Sequence, residues 1–133
     1  MTEELAELTG GIIVVTFMFN VSFYLVKYVF SHYNQYLKKH PKLHKALIKI
    51  FPFLRKYHKV AGLLIIAFIL THFLIMFNYK GLSITGLIAA SLMIIDIVLG
   101  VILAWIRPKT KIVRISHRFA SFAVIISILI HII

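Results

Sequence analysis

Four long apolar stretches dominate this chain, at about Gly11 to Ser31, His58 to Asn78, Leu82 to Ile106 and Ser116 to Ile133. Each supplies roughly the 17 to 25 residues that an α-helix needs to cross the hydrocarbon core of a bilayer. In lipid the backbone must satisfy its own hydrogen bonds, so a spanning segment of this kind is a helix. Composition agrees: 61% of the 133 residues are hydrophobic and the mean hydropathy is +0.96, outside the range of ordinary soluble domains. The expected fold class is all-α, an integral-membrane four-helix bundle embedded in a lipid bilayer. Gly86, Gly100 and the run Ala89-Ala90-Ser91 in the third stretch would let neighbouring helices approach closely.

Charge gives the expected topology. The segment Lys27 to Lys59 holds nine of the 15 Lys and Arg residues, Arg107 to Arg118 holds five, and Lys80 is the remaining one. By the positive-inside rule both basic loops are cytoplasmic, and both termini and the turn at Asn78-Tyr79-Lys80-Gly81 face outward. This describes a multi-pass protein of a prokaryotic plasma membrane. The acidic start, MTEELAELTGG, lacks the basic flank of a cleavable signal, so the first span is expected to be retained, with the mature chain beginning near Met1. Trp105 followed by Arg107-Pro108 fits an interfacial anchor and a helix stop.

Between the first two spans, residues 34–57 place Leu43, Leu47, Ile50 and Phe51 at helical spacing among lysines. That pattern predicts an amphipathic, interfacial segment on the cytoplasmic surface. Its charge suits anionic lipid or an acidic cytoplasmic redox partner. Nucleic acid is not indicated, because the charge sits where topology already demands it and no binding module accompanies it.

The chain has no cysteine and seven histidines. Disulfides, zinc-thiolate sites, iron-sulfur clusters and thioether-linked haem are therefore excluded, and any metal must be held by histidine. His58 and His72 lie on the second span, His117 and His131 on the fourth, each pair fourteen positions apart. Fourteen residues come within about 40° of four whole turns and rise about 21 Å, so each pair lines one helix face at two depths. The surroundings repeat. Arg55-x-x-His58-Lys59-x-Ala61-Gly62 matches Arg114-x-x-His117-Arg118-x-Ala120-Ser121 at an offset of 59 residues, which His72 and His131 keep. Two helical hairpins in parallel repeat would set His58 level with His117 and His72 level with His131.

Two levels of facing imidazoles in a bundle core suit two stacked haems, an inner one held by His58 and His117 and an outer one held by His72 and His131. Gly62 and Ser121 lie one turn beyond the inner ligands, and Ser127 one turn before His131, where larger side chains would strike a porphyrin. Lys59, Arg107, Arg114 and Arg118 lie where they could neutralise propionates. The same basic surroundings would favour the reduced form of the inner haem. Asp96, the one carboxylate expected at membrane depth, reads either as a proton relay for a quinone or as a protonated acid bonded to Asn20, Ser91 or the backbone. His40 and His44, at i and i+4, and His32 read as surface or interfacial histidines.

The stretch RKYHKVAGLLIIAFILTHFLI resembles the haem-binding helix of dihaem membrane cytochromes b. His58-Lys59-x-x-Gly62, with thirteen residues between His58 and His72, is similar to ferric-reductase and NADPH-oxidase transmembrane domains. Ligands on the second and fourth helices of a four-helix unit look like the core of the respiratory cytochrome b subunit. The resemblance implies that His58, His72, His117 and His131 ligate two haems b that carry electrons across the bilayer. It also implies outer-sphere transfer between a cytoplasmic flavoprotein or iron-sulfur protein and a quinone or extracytoplasmic acceptor. Ferric-reductase domains usually carry a flavin and nicotinamide module, and no glycine-rich phosphate loop occurs in these residues. An electron-transfer subunit is thus expected rather than a self-sufficient enzyme. The alternatives are a quinone-reactive membrane anchor of a dehydrogenase, a haem-free scaffold whose basic loop recruits a partner, and a metal transporter. A transporter would call for more carboxylates than Asp96.

Overall fold

The computed structural model describes residues 2–106 and 110–133. Four helices account for nearly all of them: α1 (Thr2–Lys39), α2 (Pro41–Lys80), α3 (Ile84–Trp105) and α4 (Lys111–Ile132). Each is long and apolar enough to cross a membrane by length and composition. The expected Arg107-Pro108 stop, and Arg107 as a propionate partner, lie outside the described residues.

Local chemistry sets the helix ends. Pro41 opens α2, where its missing N–H is not needed. Gly81 closes α2 at φ +78°, a backbone region that favours glycine. The Ser83 hydroxyl caps α3 by accepting from Gly86 N, and the Thr110 hydroxyl caps α4 by accepting from Val113 N.

The first two helices are much longer than a membrane crossing requires. At about 1.5 Å per residue, α1 with 38 residues and α2 with 40 run to nearly 60 Å, against 22 residues each for α3 and α4. The segment at 34–57 is helical, but it is divided between the end of α1 and the start of α2, which turn back on each other at His40. Its apolar stripe is divided: Phe51 stacks on Phe23 at 5.6 Å and meets Phe30 edge-on at 5.7 Å, whereas Leu43 and Ile50 stay exposed. Leu37, beside the turn, is buried. A non-helical Tyr33 (φ −118°, ψ 20°) kinks α1 within this overhang. His40 sits in the turn with φ −118° and ψ 76°, so it does not share a helix face with His44 as the spacing had suggested.

Each hairpin is tightly packed internally, α1 on α2 and α3 on α4, whereas the hairpins meet each other sparsely and α2 and α4 make no extended close approach. Directly packed helices would stand about 8–10 Å apart along their length. What joins the hairpins is a central plug of Ile13, Phe17, Ile65, Ile69, Met93 and Val124, drawn from all four helices. Ile65 and Val124 are the midpoints of the two histidine pairs and are 1% and 0% exposed. A dry apolar layer thus separates two polar levels.

The repeat extends to the other two helices. Thr9, Gly10, Phe17 and Asn20 on α1 stand 76 positions before Thr85, Gly86, Met93 and Asp96 on α3.

Candidate cofactor site

The six residues expected around the inner level, His58, Lys59, Gly62, His117, Arg118 and Ser121, all line one cavity of about 360 Å³ between the hairpins. That volume falls within the range of about 300–1,000 Å³ usual for ligand pockets. The two inner imidazoles are half-buried and face this space from α2 and α4. A Cβ on Gly62 would come no nearer than 3.8 Å to another group, so its side of the cavity is open. Lys59 and Arg118 are exposed at the rim. The Lys59 ammonium lies 5.7 Å from the Trp105 ring centre, and the Arg118 guanidinium lies 5.3 Å from that of Tyr24. Each cation is thereby held over an aromatic of the other hairpin.

At the outer level the His72 and His131 rings stand 6.5 Å apart between centres, with their planes 86° apart. Imidazoles from α2 and α4 thus meet at this level. Ser127, expected to leave room beside His131, is buried and donates to its own helix at Val124 O.

Three histidines are fixed through Nδ1. His72 Nδ1 lies 3.1 Å from the Ala6 carbonyl and 3.1 Å from the Thr9 hydroxyl. His117 Nδ1 lies 3.1 Å from the Asp96 carbonyl and 2.8 Å from Asp96 Oδ1. His131 Nδ1 shares a 3.1 Å hydrogen bond with the Thr85 hydroxyl. A carbonyl oxygen can only accept, so His72 and His117 each carry a proton on Nδ1, and the neutral ring leaves Nε2 as the nitrogen with a free lone pair. That is the tautomer a metal ligand requires, held by the kind of outer partner that orients it. The Nδ1 of His58 is buried with no partner at hydrogen-bond geometry among the described residues, as is Asn20 Oδ1.

Sequence reasoning missed the seats under these rings. A Cβ added at Gly86 would stand 2.9 Å from His131 Cε1, one at Gly10 3.2 Å from His72 Cε1, and one at Gly100 3.4 Å from His117 Cε1. Glycine thus lets each imidazole lie against the neighbouring helix. The signal was present as the fourteen-residue spacing of Gly86 and Gly100, which equals that of the histidines.

Asp96 is buried, and its partners are not Asn20 or Ser91. Its carboxylate accepts from His117 Nδ1 and from Ser121 Oγ at 2.9 and 3.0 Å, while Ser91 donates to Leu87 O. His32 and His44 stay on the overhang against Tyr28 and Phe30. No three His, Cys, Asp or Glu groups converge as a metal-holding cluster among the described residues.

No family model, curated protein or solved structure matches this chain.

Proposed function

We propose that this chain is a dihaem membrane cytochrome of the b type that passes electrons between the two faces of a bilayer. The observation that carries the reading is the pairing of imidazoles from α2 and α4 at two depths. Three of the four rest on glycine seats with Nδ1 tied back. Sites built only from protein donors need three or four ligands, whereas a haem, which brings its own donors, asks its protein for one or two. When bound, haem would supply one-electron chemistry at the two histidine pairs.

The remaining work belongs to the protein. His58 and His117 would hold the inner group, with Gly62 making room for it and Lys59 and Arg118 matching its carboxylates at the rim. His72 and His131 would hold the outer one. The plug of Phe17, Ile65, Met93 and Val124 keeps water and ions from following the electrons. The basic end, including the α1–α2 overhang, is assigned to the cytoplasm of a prokaryotic cell, where it would dock an acidic flavoprotein or iron-sulfur protein. A quinone or an extracytoplasmic acceptor would serve the opposite end. A second reading, a quinone-reactive anchor subunit of a dehydrogenase, draws on Asp96, an acid that lines the inner cavity.

Haem extraction from the purified chain tests the proposal. Two haems per chain are expected, one lost in His58→Ala or His117→Ala and the other in His72→Ala or His131→Ala. A colourless preparation from haem-replete cells ends this reading. Oxidation of the reduced chain by added quinone, without a partner, would favour the second.

A further inference from the structure

The two halves of the inner site are built alike but are chemically unequal. His58 on α2 pairs with Asn20 on α1 and Gly62 one turn on, whereas His117 on α4 pairs with Asp96 on α3 and Ser121 one turn on. A neutral amide on one side thus stands where a carboxylate stands on the other, at the matching place 76 residues later. The bonding follows. Asp96 Oδ1 is 2.8 Å from His117 Nδ1, and the Ser121 hydroxyl donates to the same carboxylate at 2.9 Å. Across the cavity, His58 Nδ1 and Asn20 Oδ1 are both buried and have no partner at hydrogen-bond geometry among the described residues.

We infer that Asp96, held in place by Ser121, is a positioning residue that makes His117 the stronger electron donor of the inner pair and lowers the reduction potential of the inner site. The inference rests on the haem reading above. A hydrogen bond from an imidazole N–H to a carboxylate is shorter and roughly twice as strong as one to a neutral acceptor. It raises the basicity of the ligand's other nitrogen. A more basic axial ligand stabilises oxidised over reduced iron, and burial strengthens the effect by lowering the local dielectric. Asp96 is 6% exposed, whereas Lys59 and Arg118 are exposed at the rim and screened by water. The basic rim pulls the potential upward, as composition suggested, and Asp96 pulls against it from closer in.

Potentiometric titration of both haems in the purified chain tests this, with haem content measured alongside. Replacing a charge-assisted hydrogen bond by a neutral one corresponds to about a tenfold change in an equilibrium constant, or 59 mV for a one-electron couple. Asp96→Asn should therefore raise the inner potential by about that much and leave the outer one unmoved. Asn20→Asp, which places a carboxylate beside His58, should lower the inner potential. It also serves as the deciding variant if Asp96→Asn loses the inner haem. Two retained haems with unchanged potentials in Asp96→Asn, or an inner potential unmoved or raised in Asn20→Asp, would overturn the inference while leaving the haem reading intact. A wild-type chain that binds no haem overturns both.

Discussion

Gly86→Ala adds one methyl group where the structure leaves no room for it. The new Cβ would stand 2.9 Å from His131 Cε1, a separation that forces the ring or the helix to move. Overpacking of this kind costs about 1–3 kcal/mol. Against it runs the gain of about 0.5–1 kcal/mol from replacing glycine by alanine within a helix. Gly11→Ala carries the second term alone, because a Cβ at Gly11 meets nothing within 4 Å. The propensity gain is common to both variants, so their difference should be about 1–3 kcal/mol, with Gly11→Ala the more stable. For a chain of this length that is roughly 3–5 °C of Tm per kcal/mol, readable by thermal denaturation in detergent. Haem content gives a second readout, since displacing His131 should empty the outer site and spare the inner one. The series should rank Gly86, Gly10, Gly100, Gly11 in order of decreasing damage, following their Cβ distances. Equal behaviour of Gly86→Ala and Gly11→Ala would refute the claim that glycine is there to seat an imidazole.

Ile65→Ala, at a position 1% exposed in the central plug, should destabilise the chain by about 2–3 kcal/mol, the low end of the usual core range. The low end applies because lipid offers apolar side chains nearly as good an environment as the bundle does. Chemical denaturation would measure it, and a cost near zero would mean that the plug does not hold the hairpins together. Thr85→Val should loosen the outer site more than Thr9→Val. His72 Nδ1 keeps the Ala6 carbonyl, while the Thr85 hydroxyl is the only hydrogen-bond partner seen for His131 Nδ1 among the described residues. The expected difference is about 1 kcal/mol, measured as outer-haem retention on dilution. Reporter fusions at His40 and Thr110 should give cytoplasmic signals and one at Gly81 an outside signal, and the opposite pattern would reverse the proposed orientation.

The number of helices and the pairing of histidine levels were legible because hydropathy and the 59-residue offset are properties of the sequence itself. The overhang was not. A stripe of Leu43, Leu47, Ile50 and Phe51 among lysines does not say which of its residues meets another helix: Phe51 packs on Phe23 and Phe30, while Leu43 and Ile50 stay exposed. The same overhang hid the repeat of α1 in α3. It lengthens the first hairpin, so the outer helices repeat at 76 residues while the histidine helices repeat at 59, and one search offset finds only one of them. The partner of Asp96 was out of reach for a similar reason. Depth can be counted along α3, but the side of α4 that meets it cannot.

One position breaks the repeat, and it accounts for the odd histidine. Gly10 follows Ala6 by four residues and Gly100 follows Asp96 by four, and in both cases the seated imidazole donates to the earlier carbonyl. The matching pair under His58 is Asn20 and Tyr24, where a phenol side chain replaces the missing Cβ. His58 therefore has no glycine seat on α1. Its ring packs against Phe23 instead, 4.9 Å between centres, and its Nδ1 has no partner at hydrogen-bond geometry among the described residues. At Gly10 and Gly100 the seat goes with a carbonyl bond, whereas His131 on Gly86 bonds the Thr85 hydroxyl. Tyr24→Gly should let the ring settle and the Asn20 carbonyl accept from Nδ1, even though helix propensity falls by about 1 kcal/mol and Arg118 loses its aromatic partner. Imidazole ¹⁵N chemical shifts of the labelled chain would report the change as a gain of the Nδ1–H tautomer at His58. Unchanged shifts in a folded variant would mean that something other than Tyr24 keeps this ring from α1.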